Sequence, residues 1–280
     1  MTRAADLHLH TRHSDGTFTP AELVQHAVEM ELACIAVTDH DTVAGLAEMT
    51  ALCQAAGIEF IPGIELTAHV GEREVHVLGY FIRYTEAEFV AQIESFKKGR
   101  AQRVAAMVGK LQQAGVGLQT TDVTAVAGDD SALGRLHVAR ALMNRGFIRH
   151  MDEAFHRFIG KGKPAFVPKT RLDVADAAAL IHKFGGVAIL AHPGVSALEN
   201  HLDGLLASGL DGLEVWHSRH TPGQCERYRV FARDRGCLVT GGSDCHGLAK
   251  DEVLIGGVRL DYAYIEQLKE FHARTVSKVS

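Results

Sequence analysis

One stretch of the chain, residues 5–32, is ADLHLHTRHSDGTFTPAELVQHAVEMEL, and it joins a strand pattern to a helix pattern. The segment ADLHLH predicts a strand, SDGTFTP a turn, and PAELVQHAVEMEL a helix that begins at Pro20. In an extended strand the side chains of His8 and His10 point to the same side, so one cation can bind both imidazoles.

The same alternation of strand and helix patterns continues at both ends of the chain. Helix patterns include residues 41–57, closed by Gly57, and residues 222–236. The further strand candidates are CIAVTDH, IEFIPGIEL, EVHVLGYFI, VAILAHP, LDGLEVWH, CLVTGGSDCH and LIGGVRL. This order predicts an α/β fold, with either a parallel sheet or a closed (β/α) barrel.

Residues 97–171 interrupt this alternation with a basic, mostly helical block. Val104, Met107, Val108 and Leu111 have the spacing of an amphipathic helix. The block contains 14 Lys and Arg against 5 Asp and Glu, within a chain whose net charge is -5. We interpret it as an insertion between a first part, residues 1–96, and a second part, residues 172–280. Its charge is expected either to grip an anionic ligand or to form a solvated helical surface.

The composition limits the class of protein. A chain of 280 residues with 46% hydrophobic and 22% charged residues is typical of a globular fold. No apolar run approaches the length of a membrane span, and the first residues lack the apolar core of a signal peptide. The five cysteines form no CxxC pair, so a reducing cytoplasm is the expected compartment. Neither a membrane nor a protein partner is predicted.

Histidines and carboxylates gather where the strand candidates end, and in a barrel such ends open onto one face. Imidazole and carboxylate groups without a thiolate set suit Mn²⁺, Zn²⁺ or Fe²⁺. The number of these groups exceeds the need of one ion, so we expect two or three ions. Clusters of this kind hydrolyse phosphate esters, because the ions activate water and neutralise the attacked phosphoryl group.

Six motifs in order, DLHLHTRHSDG, AVTDHD, PGIE, HVLGY, AHP and GSDCH, resemble those of the PHP (polymerase and histidinol phosphatase) superfamily. The resemblance covers essentially all of the chain outside the insertion. It implies a distorted seven-stranded (β/α) barrel with several divalent ions, of which Mn²⁺ is the first choice. The ligands that it implies are His8, His10, Glu65 and Asp244 for one ion; Glu65, His76 and His192 for a second; and His40 and His246 for a third.

The ligand set of the third ion is left undecided by two acidic residues near these motifs. Many relatives have a histidine where this chain has SDG, so Asp15 is the expected substitute. Asp39 is next to His40 and is expected either to bind a metal or to orient His40 from behind.

Within the superfamily, the SDGT motif, the size of the insertion and the chain length are most similar to bacterial nucleoside 3′,5′-bisphosphate phosphatases. This resemblance implies a small nucleotide substrate whose second phosphate the basic insertion holds. Arginine suits that role better than lysine, so Arg135 is the first candidate. The other candidates in the insertion are Lys161, Lys169 and Arg171, while His217 and Arg219 are expected to act at the scissile phosphate. His217 is otherwise expected to be a structural histidine.

Three other functions fit parts of the pattern. A 5′→3′ exonuclease on short oligoribonucleotides uses the same kind of ligand set, although no aromatic ladder for stacked bases is evident. Histidinol phosphate phosphatase does so too, but its small cationic substrate gives no reason for a basic insertion. A non-catalytic accessory domain of a polymerase is disfavoured by the intact ligand set.

Overall fold

Strands in chain order form a mixed sheet that nearly closes into a barrel. The computed structural model describes residues 3–127, 133–168, 172–249 and 253–279. The strands are β1 Ala4–Leu9, β2 Leu32–Val37, β3 Glu59–Val70, β4 Arg73–Tyr80, β5 Val187–Leu190, β6 Gly212–His217, β7 Leu238–Gly242 and β8 Leu260–Asp261. Their order in the sheet is β7-β6-β5-β4-β3-β2-β1-β8, which confirms the predicted barrel.

The two ends of the sheet meet at a seam between β1 and the residues that follow β7. There His10 N donates to Cys245 O at 3.0 Å, and Asp244 N donates to His8 O at 2.8 Å. The main-chain hydrogen bonds of the seam therefore place the histidines of β1 beside the GSDCH segment.

Strand β4 runs antiparallel to both of its neighbours, whereas the predicted alternation had implied parallel strands throughout. The short connection between β3 and β4 forces this reversal, because a parallel pair needs a long crossover. His76 consequently reaches the mouth of the barrel from near the beginning of its strand. Thr67 on β3 is its register partner.

The expectation of a strand over LIGGVRL was wrong for most of that segment. Only Leu260 and Asp261 pair with another strand, antiparallel to β1. Gly256 adopts the left-handed conformation at φ 72°, and its amide donates to Asp6 Oδ2 at 3.1 Å. A turn held by a buried carboxylate takes the place of the strand.

Local signals explain where the helices begin and end. Thr19 and Glu22 cap the first helix reciprocally around Pro20, and Gly57 ends the second in the left-handed conformation. The helices are α1 Pro20–Glu29, α2 Leu46–Ala56, α3 Ala87–Gln113, α4 Thr120–Ala127, α5 Arg135–Asn144, α6 Met151–Ala154, α7 Val174–Lys183, α8 Leu202–Ala207, α9 Pro222–Arg235 and α10 Tyr262–Val279. None of the helices in the described residues has both the length and the apolar composition of a membrane span.

Helix α3 links two hydrophobic cores. Its first part contributes Phe89 and Ile93 to the core between the barrel and its helices. Its last part contributes Met107 and Leu111 to a separate core made with α4, α5 and α6. The continuous helix passes through residue 97, where the insertion was predicted to begin, so one helix belongs to both the barrel and the helical block.

Gly242 offers a test of the seam. A Cβ at this position would overlap the main chain of His8, so Gly242→Ala is expected to lower the free energy of unfolding by about 1–3 kcal/mol. Gly204→Ala is the control, because Gly204 is an exposed residue of helix α8 with no neighbouring atom near its Cβ position. Urea denaturation should separate the two variants, and equal stability would contradict the tight seam.

Candidate metal centre

The structure brings all nine predicted metal ligands to one mouth of the barrel. They fall into overlapping groups whose ligand atoms lie within 4.8 Å of one another. These groups are His8, His10, Glu65 and Asp244; His10, Asp15, His40 and His246; and His40, Glu65 and His76. The ninth residue, His192, lies with its Nε2 atom 3.1 Å from Glu65 Oε1.

Glu65 is the centre of the arrangement, and its side chain is fully buried. Its Oε2 atom lies 3.2 Å from His8 Nε2, from His10 Nε2 and from His40 Nδ1. Its Oε1 atom lies 2.7 Å from His76 Nδ1. The two oxygens thus face different sets of imidazoles, which is the arrangement of a carboxylate that bridges two ions.

Asp15 and Asp244 approach the same histidines from two loops. His10 Nε2 lies 3.1 Å from Asp244 Oδ1, and His246 Nε2 lies 3.1 Å from Asp15 Oδ1. Gly16 allows this approach, because a Cβ there would lie only 2.6 Å from the carbonyl oxygen of His10. The tight SDG turn therefore places Asp15 where a third ion would need a ligand.

Several of these buried atoms approach one another without forming hydrogen bonds. His10 Nε2, His40 Nδ1 and Asp15 Oδ1 have no hydrogen-bond partner, although each lies within 3.2 Å of a nitrogen or oxygen atom of the cluster. Buried polar atoms in proteins are normally paired. Lone pairs that converge on a common point instead fit divalent cations, and imidazole with carboxylate is a suitable donor set.

Carboxylates behind the cluster hold the histidines in place. Glu214 Oε1 lies 3.0 Å from His8 Nδ1, and Glu214 Oε2 accepts from His192 N at 2.8 Å. A proton on Nδ1 of His8 leaves the lone pair of Nε2 directed at the site.

Asp39 supports the turn that carries Asp15. Its Oδ1 atom accepts from Thr11 N at 2.7 Å and from Ser14 Oγ at 2.5 Å. Its Oδ2 atom accepts from Thr11 Oγ1 at 2.6 Å. Within the described residues, Asp39 is absent from the groups of converging ligand atoms. These hydrogen bonds go to Thr11 and Ser14 and not to His40, so the two roles expected for Asp39, metal ligand or support of His40, stay predictions.

The backbone is strained where ligands leave their strands. His192, Asp244 and Asp41 have φ values of 27°, 54° and 50°, in a region that residues other than glycine seldom adopt. Such strain persists where surrounding contacts impose it, and it concentrates at functional sites.

The protonation states of the donors differ. Burial raises the pKa of the Glu65 carboxyl, but the imidazoles of His40, His76 and His8 outweigh it and hold that pKa well below its usual value. Burial lowers the pKa of His40 well below its usual value and also lowers that of His192. Glu65 is thus a carboxylate and these two histidines favour the neutral form, which has a free lone pair.

Burial lowers the pKa of both His8 and His10, but the carboxylates of Glu214, Glu65 and Asp244 outweigh it, so the pKa of His8 is raised well above its usual value and that of His10 to about 9. A metal ion would therefore displace a proton from each of these two imidazoles.

A cavity of about 320 Å³ opens above the cluster, and arginines line one of its walls. Arg100 donates to Asp41 Oδ2 at 2.5 Å, and Arg135 donates to Glu74 Oε1 at 3.2 Å. Burial, together with the charges of Arg135 and Arg100, lowers the pKa of Arg103 to about 10, so Arg103 remains a cation at neutral pH. This crowding of positive charge beside metal ligands suits a ligand with more than one anionic group.

The predicted substrate residues are distributed unevenly around this cavity. Arg135 and Arg219 line it, whereas Lys161 is exposed in a turn and is not among the lining residues. Lys169 and Arg171 lie outside the described residues. His217 is buried behind the cluster, with Nε2 3.5 Å from Asp244 Oδ2. The substrate-binding and catalytic roles of these residues stay predictions.

Sequence reasoning missed Arg100, Arg103 and Glu214. Arg100 is four residues before Val104, on the apolar stripe of its helix, and a cation on a buried stripe is a usable signal. Glu214 interrupts the apolar strand GLEVWH, and a buried carboxylate needs a partner.

Comparisons of sequence place this chain among related proteins. The family model of the PHP domain matches residues 6–130. A Chromobacterium violaceum protein named 3′,5′-nucleoside bisphosphate phosphatase is 32% identical over 246 residues, which are 86% of each chain. A Haemophilus influenzae protein named 5′-3′ exoribonuclease is 33% identical over 255 residues, which are 88% of this chain and 91% of that protein.

Solved structures share the architecture. A chain from Bifidobacterium adolescentis, assigned as a metal-dependent phosphoesterase, aligns with a TM-score of 0.87 at 32% identity over 95% of both chains. A chain from Chromobacterium violaceum, described as an amidohydrolase with bound sulfate and no metal, aligns with a TM-score of 0.82 at 30% identity over 94% of this chain and 96% of that one.

Glu214→Gln tests the support behind the cluster. Because the amide no longer holds the Nδ1 proton of His8 as a carboxylate does, the affinity for Mn²⁺ is expected to fall about 10- to 100-fold. Titration calorimetry on chelator-treated protein measures this change. The control is Glu226→Gln, which neutralises an exposed carboxylate paired with Arg229. Equal Mn²⁺ affinity of the two variants would contradict the role of Glu214.

Proposed function

The chain belongs to the PHP domain family and is a phosphoester hydrolase, and we propose that it removes the 3′-phosphate from nucleoside 3′,5′-bisphosphates. The observation that carries this proposal is a single cavity that is lined both by the predicted metal ligands and by four arginines. A substrate with two phosphates satisfies both regions at once. The name of the Chromobacterium violaceum relative supports the same substrate class.

We assign the ligands to two or three divalent ions, with Mn²⁺ preferred to Zn²⁺ or Fe²⁺. His8, His10, Glu65 and Asp244 would hold one ion, and Glu65, His76 and His192 a second. Asp15, His40 and His246 would hold a third. Ions in such a centre supply an activated water and neutralise charge on the phosphoryl group.

Residues of the chain itself then position the substrate and its charges. Arg219, on the rim of the cavity, approaches the scissile phosphate and stabilises the charge that develops on it. The amide of Arg219 donates to His217 Nδ1 at 3.1 Å, so a neutral His217 carries its proton on Nε2, which faces Asp244. His217 thus lies beside Asp244, behind the cluster. Arg135 binds the phosphate that is retained.

A 5′→3′ exonuclease activity on short oligoribonucleotides is the second candidate. A neighbouring cavity of about 450 Å³ shares Arg100 and Arg103 with the first and also contains Lys98 and Phe96. This second space offers charge and one aromatic ring to the next nucleotide of a short chain. The name of the Haemophilus influenzae relative points in the same direction. Histidinol phosphate is disfavoured, since its single phosphate would leave the arginines of the cavity without a second anionic group.

Phosphate release decides between these substrates. Mn²⁺-loaded protein should prefer adenosine 3′,5′-bisphosphate and yield AMP, compared with 5′-phosphorylated dinucleotides and histidinol phosphate. Glu65→Gln should remove most of the activity and leave the far-ultraviolet circular dichroism unchanged, because Glu65 bridges two groups of ligands. A preference for dinucleotides would favour the exonuclease, and near-normal turnover by Glu65→Gln would refute the metal assignment.

Arg135→Ala tests the grip on the second phosphate. Loss of a charge-assisted hydrogen bond is expected to raise KM for adenosine 3′,5′-bisphosphate about 10- to 100-fold. KM for adenosine 3′-monophosphate, which lacks the second phosphate, should change little. Arg149→Ala removes an exposed arginine of the same insertion and serves as the control. Equal effects of Arg135→Ala on both substrates would show that Arg135 does not contact the second phosphate.

A further inference from the structure

Glu74 places a carboxylate inside a cavity that otherwise suits anions. It precedes His76 by two residues on β4, so both side chains face the same side of the strand. Its Oε1 atom lies 3.6 Å from His76 Nε2 and 3.2 Å from Arg135 Nη2. A single oxygen of Glu74 thus lies between the metal ligands and the arginine wall.

A carboxylate at this position is unfavourable for phosphate binding. It shares Arg135 with any phosphate that binds there and repels that phosphate, so it weakens a site designed for phosphate alone. A carboxylate can only accept hydrogen bonds, whereas phosphate groups offer acceptors. Glu74 therefore fits a substrate that presents an O–H donor between its two anionic groups.

The proposed substrate has such a donor. When the 3′-phosphate lies over the metal ligands and the 5′-phosphate lies at Arg135, the ribose that joins them spans the position of Glu74. Both the 3′- and the 5′-oxygen are esterified, so the 2′-hydroxyl is the remaining O–H donor of the sugar. It is attached to the carbon next to the one that bears the scissile phosphate.

We propose that Glu74 accepts a hydrogen bond from the ribose 2′-hydroxyl and makes the protein selective for ribonucleotides over 2′-deoxyribonucleotides. This inference rests on the proposed function, because that function orients the sugar. Hydrogen bonds to a charged acceptor are the strong class. The selectivity expected from one such bond is about 10- to 100-fold in kcat/KM.

The kinetic test compares adenosine 3′,5′-bisphosphate with its 2′-deoxy and 2′-deoxy-2′-fluoro analogues. Fluorine has nearly the size of the hydroxyl group but donates no hydrogen bond, so both analogues should react equally poorly with the wild-type protein. Glu74→Ala should abolish the preference for the ribonucleotide. Glu74→Gln should keep part of it, because the amide oxygen still accepts a hydrogen bond.

A positioning role through Arg135 predicts a different result. If Glu74 only holds Arg135 in place, Glu74→Ala changes KM equally for the ribose and deoxyribose substrates and leaves their ratio intact. Arg135→Ala is the matched control, and it should weaken binding of both substrates while preserving their ratio. An unchanged ratio in Glu74→Ala would overturn the inference.

Binding of the products gives a readout that does not depend on turnover. AMP and 2′-deoxy-AMP retain the 5′-phosphate and differ only at the 2′-position, so titration calorimetry should show a ribonucleotide preference that Glu74→Ala removes. Equal cleavage of both bisphosphates by the wild-type protein would overturn the inference and leave the proposed function intact. Failure to cleave either bisphosphate would overturn the proposed function. The two product affinities then decide the inference alone, and equal affinities or no binding would overturn it.

Discussion

Glu65 carries a negative charge out of contact with water, and the barrel mouth is organised around that charge. A buried carboxylate is costly unless opposite charges or hydrogen-bond donors surround it. Five imidazoles meet this need, and they come from four different strands and the segments that follow them. The same constraint accounts for Glu214, since imidazoles packed this closely need their outer nitrogens held in one direction.

The reversal of β4 determines which side chains of that strand enter the cavity. The β3–β4 pair brings Glu65, His76 and Glu74 into the cavity from two neighbouring strands. Helix α3 faces this pair from the opposite side with Arg100 and Arg103, and the ion pair between Arg100 and Asp41 attaches the helix to the residue after His40. The regions for metal ions and for substrate charge are therefore mechanically connected.

The ordered motifs predict the barrel and the convergence of nine ligand candidates, because strand ends with repeated His and Asp leave few alternative arrangements. The residues of EVHVLGYFI do not indicate the direction of β4, because they have the same pattern in either direction. The short connection after β3 does indicate it, and the prediction from the alternation of strands and helices did not use that length. Arg100 and Arg103 were not predicted as site residues, because apolar residues such as Met107 and Leu111 are sufficient to predict the helix. A short turn at Gly256 takes the place of an expected strand, because the main-chain amide of Gly256 donates to the buried carboxylate of Asp6.

The seam between β1 and β7 has a consequence for how the protein is made. His8 and His10 are synthesised long before their partners in the GSDCH segment, because most of the described chain lies between them. Until that segment is translated, the two histidines lack their full set of neighbours. Contacts between such distant segments form late and slowly. A nascent chain holds only part of the proposed donor set, so we expect tight metal binding only in molecules whose barrel has closed.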